Sequence, residues 1–343
     1  MTTDILQPDE LQPAVDLTQQ VLAQLDRVLL GRPELHRLVV AGILSRGHIL
    51  LEGLPGVGKT ALVKTLGQLL DLDAKRVQFT PDLMPSDILG AHILQEQPDG
   101  RRAMEFHAGP VFTNFLLADE INRASPKTQA ALLEAMQERA VTLLGTTRAL
   151  PDPFFVLASQ NPIELEGTYA LPEAQLDRFL FKLHVGGADV DTLDQIITSR
   201  RRGEAPAVER VLRADELQSL FAVMERIYLP KAVARYIARL VAATHVEAAE
   251  ATADVKDYVS YGASPRAAIA LAEAARAWAL LAGRPTVGFE DVQAVAVAVL
   301  NHRLVLNYKA RFDGVTSTKL VERLLANLNE AGLALPKDME VVA

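Results

Sequence analysis

Gly53-Leu54-Pro55-Gly56-Val57-Gly58-Lys59-Thr60 follows the apolar run Ile49-Leu50-Leu51 and precedes a helical pattern over residues 60–70. The octapeptide fits Gly-x-x-x-x-Gly-Lys-Ser/Thr in full, and strand, loop and helix come in the order that lets such a loop cradle phosphate. Its glycines keep Cβ atoms away from backbone N–H groups that face phosphate oxygens, and the helix N-terminus adds a favourable partial charge. In this reading Lys59 contacts the β- and γ-phosphates and the Thr60 hydroxyl ligates magnesium. Leu54, Pro55, Gly56, Val57 and Ala61 complete the nucleotide contacts of the loop.

A phosphate loop alone says only that a nucleoside triphosphate binds; hydrolysis also needs an acid to hold the metal and a group to orient water. Phe115-Leu-Leu-Ala-Asp119-Glu120 ends an apolar run in two adjacent acids, at the strand end where ligands bind in open α/β sheets. Asp119 is expected to hold the magnesium through its water shell, and Glu120 to orient or deprotonate the attacking water. Phe154-Phe-Val-Leu-Ala-Ser-Gln-Asn161 is a second apolar strand with a polar end. If it lies beside the phosphate-loop strand, the Asn161 amide reaches the γ-phosphate or the water; otherwise Asn161 caps the turn before Pro162.

Two arginines stand where a cation is expensive. Ser264 suits an N-cap and Pro265 the first helical position, so Arg266 falls in the first turn of a helix, where the helix dipole disfavours positive charge. Either the γ-phosphate or a nearby carboxylate compensates it. Arg178, in Leu176-Asp-Arg-Phe179, precedes another apolar run, and locally a salt bridge to Asp177 or Glu173 accounts for it.

Outward from these motifs, short apolar runs at 48–52, 76–80, 115–119, 154–159 and 179–185 alternate with helical patterns, the signature of a parallel sheet with helices on its faces. Two hairpins interrupt it: residues 91–95 and 102–106 flank the turn at 98–100, and a second pair flanks Gly145. Gly186-Gly187 and the charged stretch 199–204 mark a change of domain. The division expected is an α/β domain over 1–187 with a tail to about residue 15, a linker over 188–212, and an alanine-rich helical domain over 213–343, with helices at 215–226, 230–248, 265–282 and 289–300.

The composition, 49% hydrophobic and 23% charged over 343 residues, suits two globular domains. No cysteine is present, which removes thiol nucleophiles and thiolate metal sites. The seven histidines are scattered without metal-ligand spacing. A net charge of −8 weighs against nucleic acid as a partner. No apolar segment approaches the roughly 20 residues of a membrane helix, and the acidic N-terminus lacks a signal-peptide layout. A cytoplasmic location without membrane insertion is the expectation.

The ordered blocks Leu51-Glu-Gly-Leu-Pro-Gly-Val-Gly-Lys-Thr60, Leu117-Ala-Asp-Glu-Ile-Asn-Arg-Ala124, Gln129-Ala-Ala-Leu-Leu-Glu-Ala-Met-Gln137, Ser159-Gln-Asn-Pro162, Glu166-Gly-Thr-Tyr169, Leu171-Pro-Glu-Ala-Gln-Leu-Asp-Arg-Phe179 and Gly262-Ala-Ser-Pro-Arg-Ala267 resemble the AAA+ ATPases, and within them the MoxR family. The resemblance runs from about residue 28 to residue 304. It implies a P-loop NTPase core with a five-stranded parallel sheet, a helix-2 insert and a pre-sensor hairpin, followed by a small all-α lid. It makes residues 53–60 the Walker A loop, Asp119 and Glu120 the Walker B pair, Asn161 sensor 1, Arg266 sensor 2 and Arg178 an arginine finger. Adenine would pack near Leu29, Leu30 and Gly31.

Small departures occur at Ser159, where threonine is usual, at Ala170, where proline is common, and at Asn301, where arginine is usual. None removes a catalytic side chain. The resemblance further implies ATP with Mg²⁺, a hexameric ring, and chaperone-like work on protein clients with a von Willebrand factor A-type domain protein. Arg123 is open to two readings, a second subunit-bridging arginine or a plain ion pair, and His302 reads as a packed lid histidine. Two rivals keep the fold: a nucleic-acid motor or restriction-type GTPase, hinted at by Arg101-Arg102, and a nucleotide-gated scaffold with little turnover.

Overall fold

A computed structural model describes residues 6–53, 58–96, 102–161, 167–200 and 206–329. The chain divides into two compact units, residues 9–225, and residues 226–343 with the first eight. The described strands of the first unit are β1 (Ile49–Gly53), β2 (Ala74–Gln78), β3 (Gly90–Glu96), β4 (Arg102–Ala108), β5 (Phe115–Asp119), β6 (Ala140–Leu143), β7 (Thr146–Ala149), β8 (Phe155–Gln160) and β9 (Phe181–Val185). Five form one sheet in the order β2-β5-β8-β1-β9, each neighbouring pair parallel. This is the expected α/β core.

The central strands are apolar on both faces because helices cover both: Phe115 to Ala118 of β5 and Phe155 to Ser159 of β8 are all buried. Helix Lys59–Leu69 buries Leu62, Val63, Leu66 and Leu69. Helix Pro126–Glu138 adds Leu132, Leu133 and Met136 to a core that contains Leu50, Leu116, Val156 and Phe179. Each such side chain contributes about 1.5–3 kcal/mol over its exposed state. Edge strand β2 instead exposes Ala74, Lys75 and Arg76, and charge on an open edge discourages pairing with other chains.

Strands β3 with β4 and β6 with β7 are antiparallel hairpins outside the main sheet. They meet where the Arg148 guanidinium lies 4.0 Å over the Phe106 ring. The hairpins expose Ile93 and Leu94 on β3, Met104 on β4 and Leu144 in the turn between β6 and β7. The turn expected at 98–100 lies outside the described residues.

The domain limits differ from the expectation. The stretch expected as a tail to about residue 15 begins helix Pro8–Val28, whose apolar face, Leu11, Ala14, Val21, Leu25 and Val28, is buried. The interval expected as a linker holds helix Val190–Ser199, capped by Asp189 accepting from the Thr192 N–H at 2.8 Å. The first unit then continues to Glu225. Helix Ala214–Arg226 explains this: Phe221 is buried 6.5 Å from the Phe155 ring with the Arg46 guanidinium 4.4 Å over it. Packing of that aromatic against the sheet, rather than the glycine pair, sets the boundary.

The second unit is helical, with Lys231–Ala242, Ala253–Tyr258, Pro265–Leu281, Phe289–Leu300, Tyr308–Phe312 and Ser317–Asn327, and one short antiparallel pair, β10 (Val259–Tyr261) with β11 (Val305–Leu306). Alanines 267, 270, 274 and 275 are buried on the long helix and Val292, Val295, Ala296 and Val299 on the next, and small side chains allow close helix approach. The helix expected to residue 248 ends at Ala242, because the Thr244 hydroxyl donates to the Val241 carbonyl and accepts from the Ala263 N–H, diverting the backbone. Buried Asp291 pairs with Arg284 and caps the Gly288 N–H at 2.8 Å. His302 is buried, as the sequence reading has it.

Candidate functional site

The sheet order lays the C-terminal ends of β5, β8 and β1 side by side, and most of the candidate residues follow those ends. At the end of β1, a Cβ on Gly53 would lie 2.3 Å from the Val185 carbonyl oxygen of β9. The first glycine of the loop is therefore demanded by strand packing as well as by phosphate. Residues 54–57, with Leu54, Pro55, Gly56 and Val57, lie outside the described residues. Gly58 takes φ +92° and caps helix Lys59–Leu69. The Lys59 ammonium donates to the Gly53 carbonyl at 2.7 Å. Burial pushes its pKa below the ordinary lysine value, opposed by the charges of Asp119 and Glu120. Thr60 and Ala61 are exposed.

The acids ending β5 are held from both neighbouring strands. Arg76 and Gln78 sit two apart on β2 and so share a face, and β2 pairs with β5 in the register Gln78↔Asp119. Arg76 donates to Asp119 Oδ2 through Nη2 at 2.8 Å and Nε at 3.2 Å. Its Nη2 also donates to Gln78 Oε1 at 2.5 Å. Gln78 Nε2 donates to Glu120 Oε2 at 2.7 Å, which also accepts from Arg123 Nη1 at 3.1 Å. From β8, the Ser159 hydroxyl donates to Asp119 Oδ1 at 2.5 Å and accepts from the Glu120 N–H at 3.0 Å. Glu120 has φ +56°, ψ +50°, a left-handed conformation that costs a non-glycine residue about 1 kcal/mol. The Ser159 bond helps to impose it.

Asn161 is buried just past the end of β8, beside the β1 strand of the phosphate loop. Arg178 is half-buried after helix Glu173–Leu176. Its Nη1 donates to the Leu133 carbonyl at 2.7 Å, and its Nε is buried without a hydrogen-bond partner. No described ion pair joins it to Asp177 or Glu173. Arg123 makes the plain ion pair with Glu120. Arg266 occupies the first turn of Pro265–Leu281, exposed, in the second unit.

A cavity of about 460 Å³ opens beside Gly58, Lys59 and Ala61, lined by Leu29, Leu30, Leu35, Leu62, Val185 and Leu193 among others. Gly31 adjoins it with φ +79°, and a Cβ there would meet the Thr192 hydroxyl at 2.1 Å, so glycine is required on both counts. His36 lines the same cavity and bonds Asp26 at 2.6 Å. Burial lowers its pKa, with Asp26 pulling the other way. Apolar walls with a cationic end match a base joined to phosphates.

The donor set at the acids fits Mg²⁺. A hydroxyl on Thr60 and a carboxylate on Asp119 are hard oxygen ligands. Among the described residues no cluster of three or more His, Cys, Asp or Glu could hold a metal ion. Sequence reasoning missed Arg76 and Gln78, although a strand expected at 76–80 already put both on one face. It met Ser159 only as a departure from a family pattern.

A model of the ATPase family associated with various cellular activities (AAA) matches residues 48–181, and one of the AAA lid domain matches residues 251–324. Chaperone MoxR1 of Mycobacterium tuberculosis is 42% identical over 315 residues, spanning 92% of this chain and 82% of its own. Protein MoxR of Paracoccus denitrificans is 34% identical over 302 residues, 83% of this chain and 87% of its own. A crystal structure of a Cytophaga hutchinsonii protein superposes with a TM-score of 0.86 at 39% identity, covering 94% of this chain and 97% of that one.

Proposed function

The chain belongs to the MoxR family of AAA+ ATPases, and from that premise we propose that it hydrolyses ATP as a ring oligomer, hexameric in the family pattern, to remodel protein partners. One observation carries the reading: Lys59, which opens the helix after β1, feels the charges of Asp119 and Glu120 at the end of β5, and between β1 and β5 lies β8, with Ser159 on it and Asn161 just past its end. In this proposal the base of ATP enters the cavity near Leu30 and Gly31, and its phosphates meet the loop of residues 53–61. Thr60 and Asp119 would hold Mg²⁺, which would offset negative charge on the phosphates. Glu120 orients a water in line with the γ-phosphorus and takes its proton, while Lys59 and Asn161 face the charge that builds on the phosphoryl oxygens.

Arg178 and Arg266 complete the reading. Arg266, in the first turn of a lid helix, senses the γ-phosphate. Arg178 serves a neighbouring subunit's nucleotide, a contribution of about 10³- to 10⁵-fold in rate where such fingers operate. Its lack of a carboxylate partner among the described residues supports this over a salt bridge. The exposed apolar side chains of the two hairpins, Ile93, Leu94, Met104 and Leu144, suit protein clients, among them a von Willebrand factor A-type domain protein. Arg102 pairs with Glu96 on its own hairpin, which weakens the nucleic-acid reading. No helix among the described residues is long and apolar enough to cross a membrane.

Phosphate release from ATP tests the chemistry: Glu120→Gln should bind ATP and release almost none. Activity per chain should rise with protein concentration. Arg178→Ala should abolish it with ATP binding intact, and mixing Arg178→Ala with Glu120→Gln should restore part of it. Full activity in a monomeric preparation would sink the ring reading, and a pull-down with the ATP-loaded Glu120→Gln form tests for protein clients.

A further inference from the structure

Both oxygens of Asp119 are engaged in the structure, Oδ1 by the Ser159 hydroxyl and Oδ2 by two nitrogens of Arg76. The two donors differ in kind. Ser159 is buried on β8 and neutral, so it orients the carboxylate without satisfying its charge. Arg76 brings a full positive charge to the oxygen that faces away from β8, and does so from the open edge strand of the sheet. The Asp119 side chain is 14% exposed whereas that of Arg76 is 50% exposed. The carboxylate is largely buried, and the guanidinium lies half-exposed on the edge strand.

We propose that Arg76 is a positioning residue that occupies Asp119 until a divalent cation takes its place, so that metal and guanidinium compete for one carboxylate. The inference rests on the reading of Asp119 as the metal-holding acid. Two features set it apart from an ordinary surface ion pair. The guanidinium is also anchored to Gln78 Oε1, and the orientation of that amide is imposed: a guanidinium only donates and the Glu120 carboxylate only accepts, so the amide oxygen must face Arg76 and its nitrogen Glu120. Arg76 is thus held at Asp119 by side chains of β2 and β5 alone. Displacing it breaks two hydrogen bonds to Asp119, but the half-exposed guanidinium exchanges them for water and keeps Gln78 Oε1 in reach, which limits the penalty to a small factor in affinity.

The experiment follows binding rather than turnover. A fluorescent, non-hydrolysable ATP analogue is titrated onto the full chain, first in a chelator and then at rising Mg²⁺, and the Mg²⁺ concentration at half-maximal tightening is read. Arg76→Ala should leave metal-free binding unchanged and lower that concentration by about two- to fivefold. Arg76→Lys, which keeps a point charge near Asp119 while losing the planar fork, should stay near the wild-type value. Repeating the series with Mn²⁺ should reproduce the order.

An unchanged or raised Mg²⁺ midpoint in Arg76→Ala, with nucleotide binding intact, overturns the inference and leaves the proposed function standing. A wild-type chain that binds no nucleotide with or without metal overturns both. Should Arg76→Ala fold poorly, Arg76→Gln carries the same comparison, since it removes the charge and keeps a polar chain on an exposed edge.

Discussion

Acid should weaken the first unit through one side chain, His48. It lies at the start of the phosphate-loop strand, 8% exposed. Its Nδ1 accepts from the Val156 N–H at 3.0 Å and its Nε2 faces the Met136 carbonyl at 3.2 Å, so the neutral ring with hydrogen on Nε2 satisfies both. Burial pushes its pKa down to about 4 from 6.5, the Met136 bond opposing and the charge of Arg139 assisting. The folded value lies below the unfolded one, so the unfolded chain takes up the proton first. The stabilisation is complete above pH 6.5 and is lost as pH falls towards 4. At about 1.4 kcal/mol per pH unit across that interval, the loss is about 3 kcal/mol.

The assay is hydrogen exchange on peptides covering Val156, expressed as protection against pH and compared with His48→Gln, which cannot titrate. The single tryptophan, Trp278, lies in the second unit and reports on different packing. Protection at Val156 in the wild type should fall more steeply between about pH 6.5 and 4 than in the variant. Parallel curves would refute the reasoning, because the remaining carboxylates titrate equally in both proteins.

Three further outcomes follow from single contacts. Ser159→Ala strands the Glu120 N–H and frees Asp119 Oδ1, so stability should drop by about 1–3 kcal/mol in urea unfolding and phosphate release should fall, with Ser159→Thr restoring both. Gly53→Ala drives a Cβ into the Val185 carbonyl, and equilibrium dialysis should show ATP binding weakened at least tenfold; unaltered affinity would mean β9 yields freely. Asp291→Ala removes a cap and one of two carboxylates on Arg284, which keeps Glu290, so unfolding followed by Trp278 fluorescence should show a loss of about 1–3 kcal/mol.

Most of the sheet was legible in the sequence because parallel central strands must be apolar on both faces, and runs such as Phe115 to Ala118 announce that locally. The phosphate loop and the acids at 119 and 120 were legible for a related reason: each is a contiguous motif whose neighbours along the chain are also its neighbours in space. The same holds for the first-turn position of Arg266, which Ser264 and Pro265 dictate. The limits of the units were not legible, since Phe221 belongs to the sheet by packing and nothing near it in sequence says so. Nor was the restraint on the acids. Arg76, Gln78, Ser159 and Asp119 come from three strands whose order places β2 and β8 on either side of β5, and only that order decides which donor reaches which oxygen. Sequence names the groups that carry charge; the sheet order decides how those charges are paired before any ligand arrives.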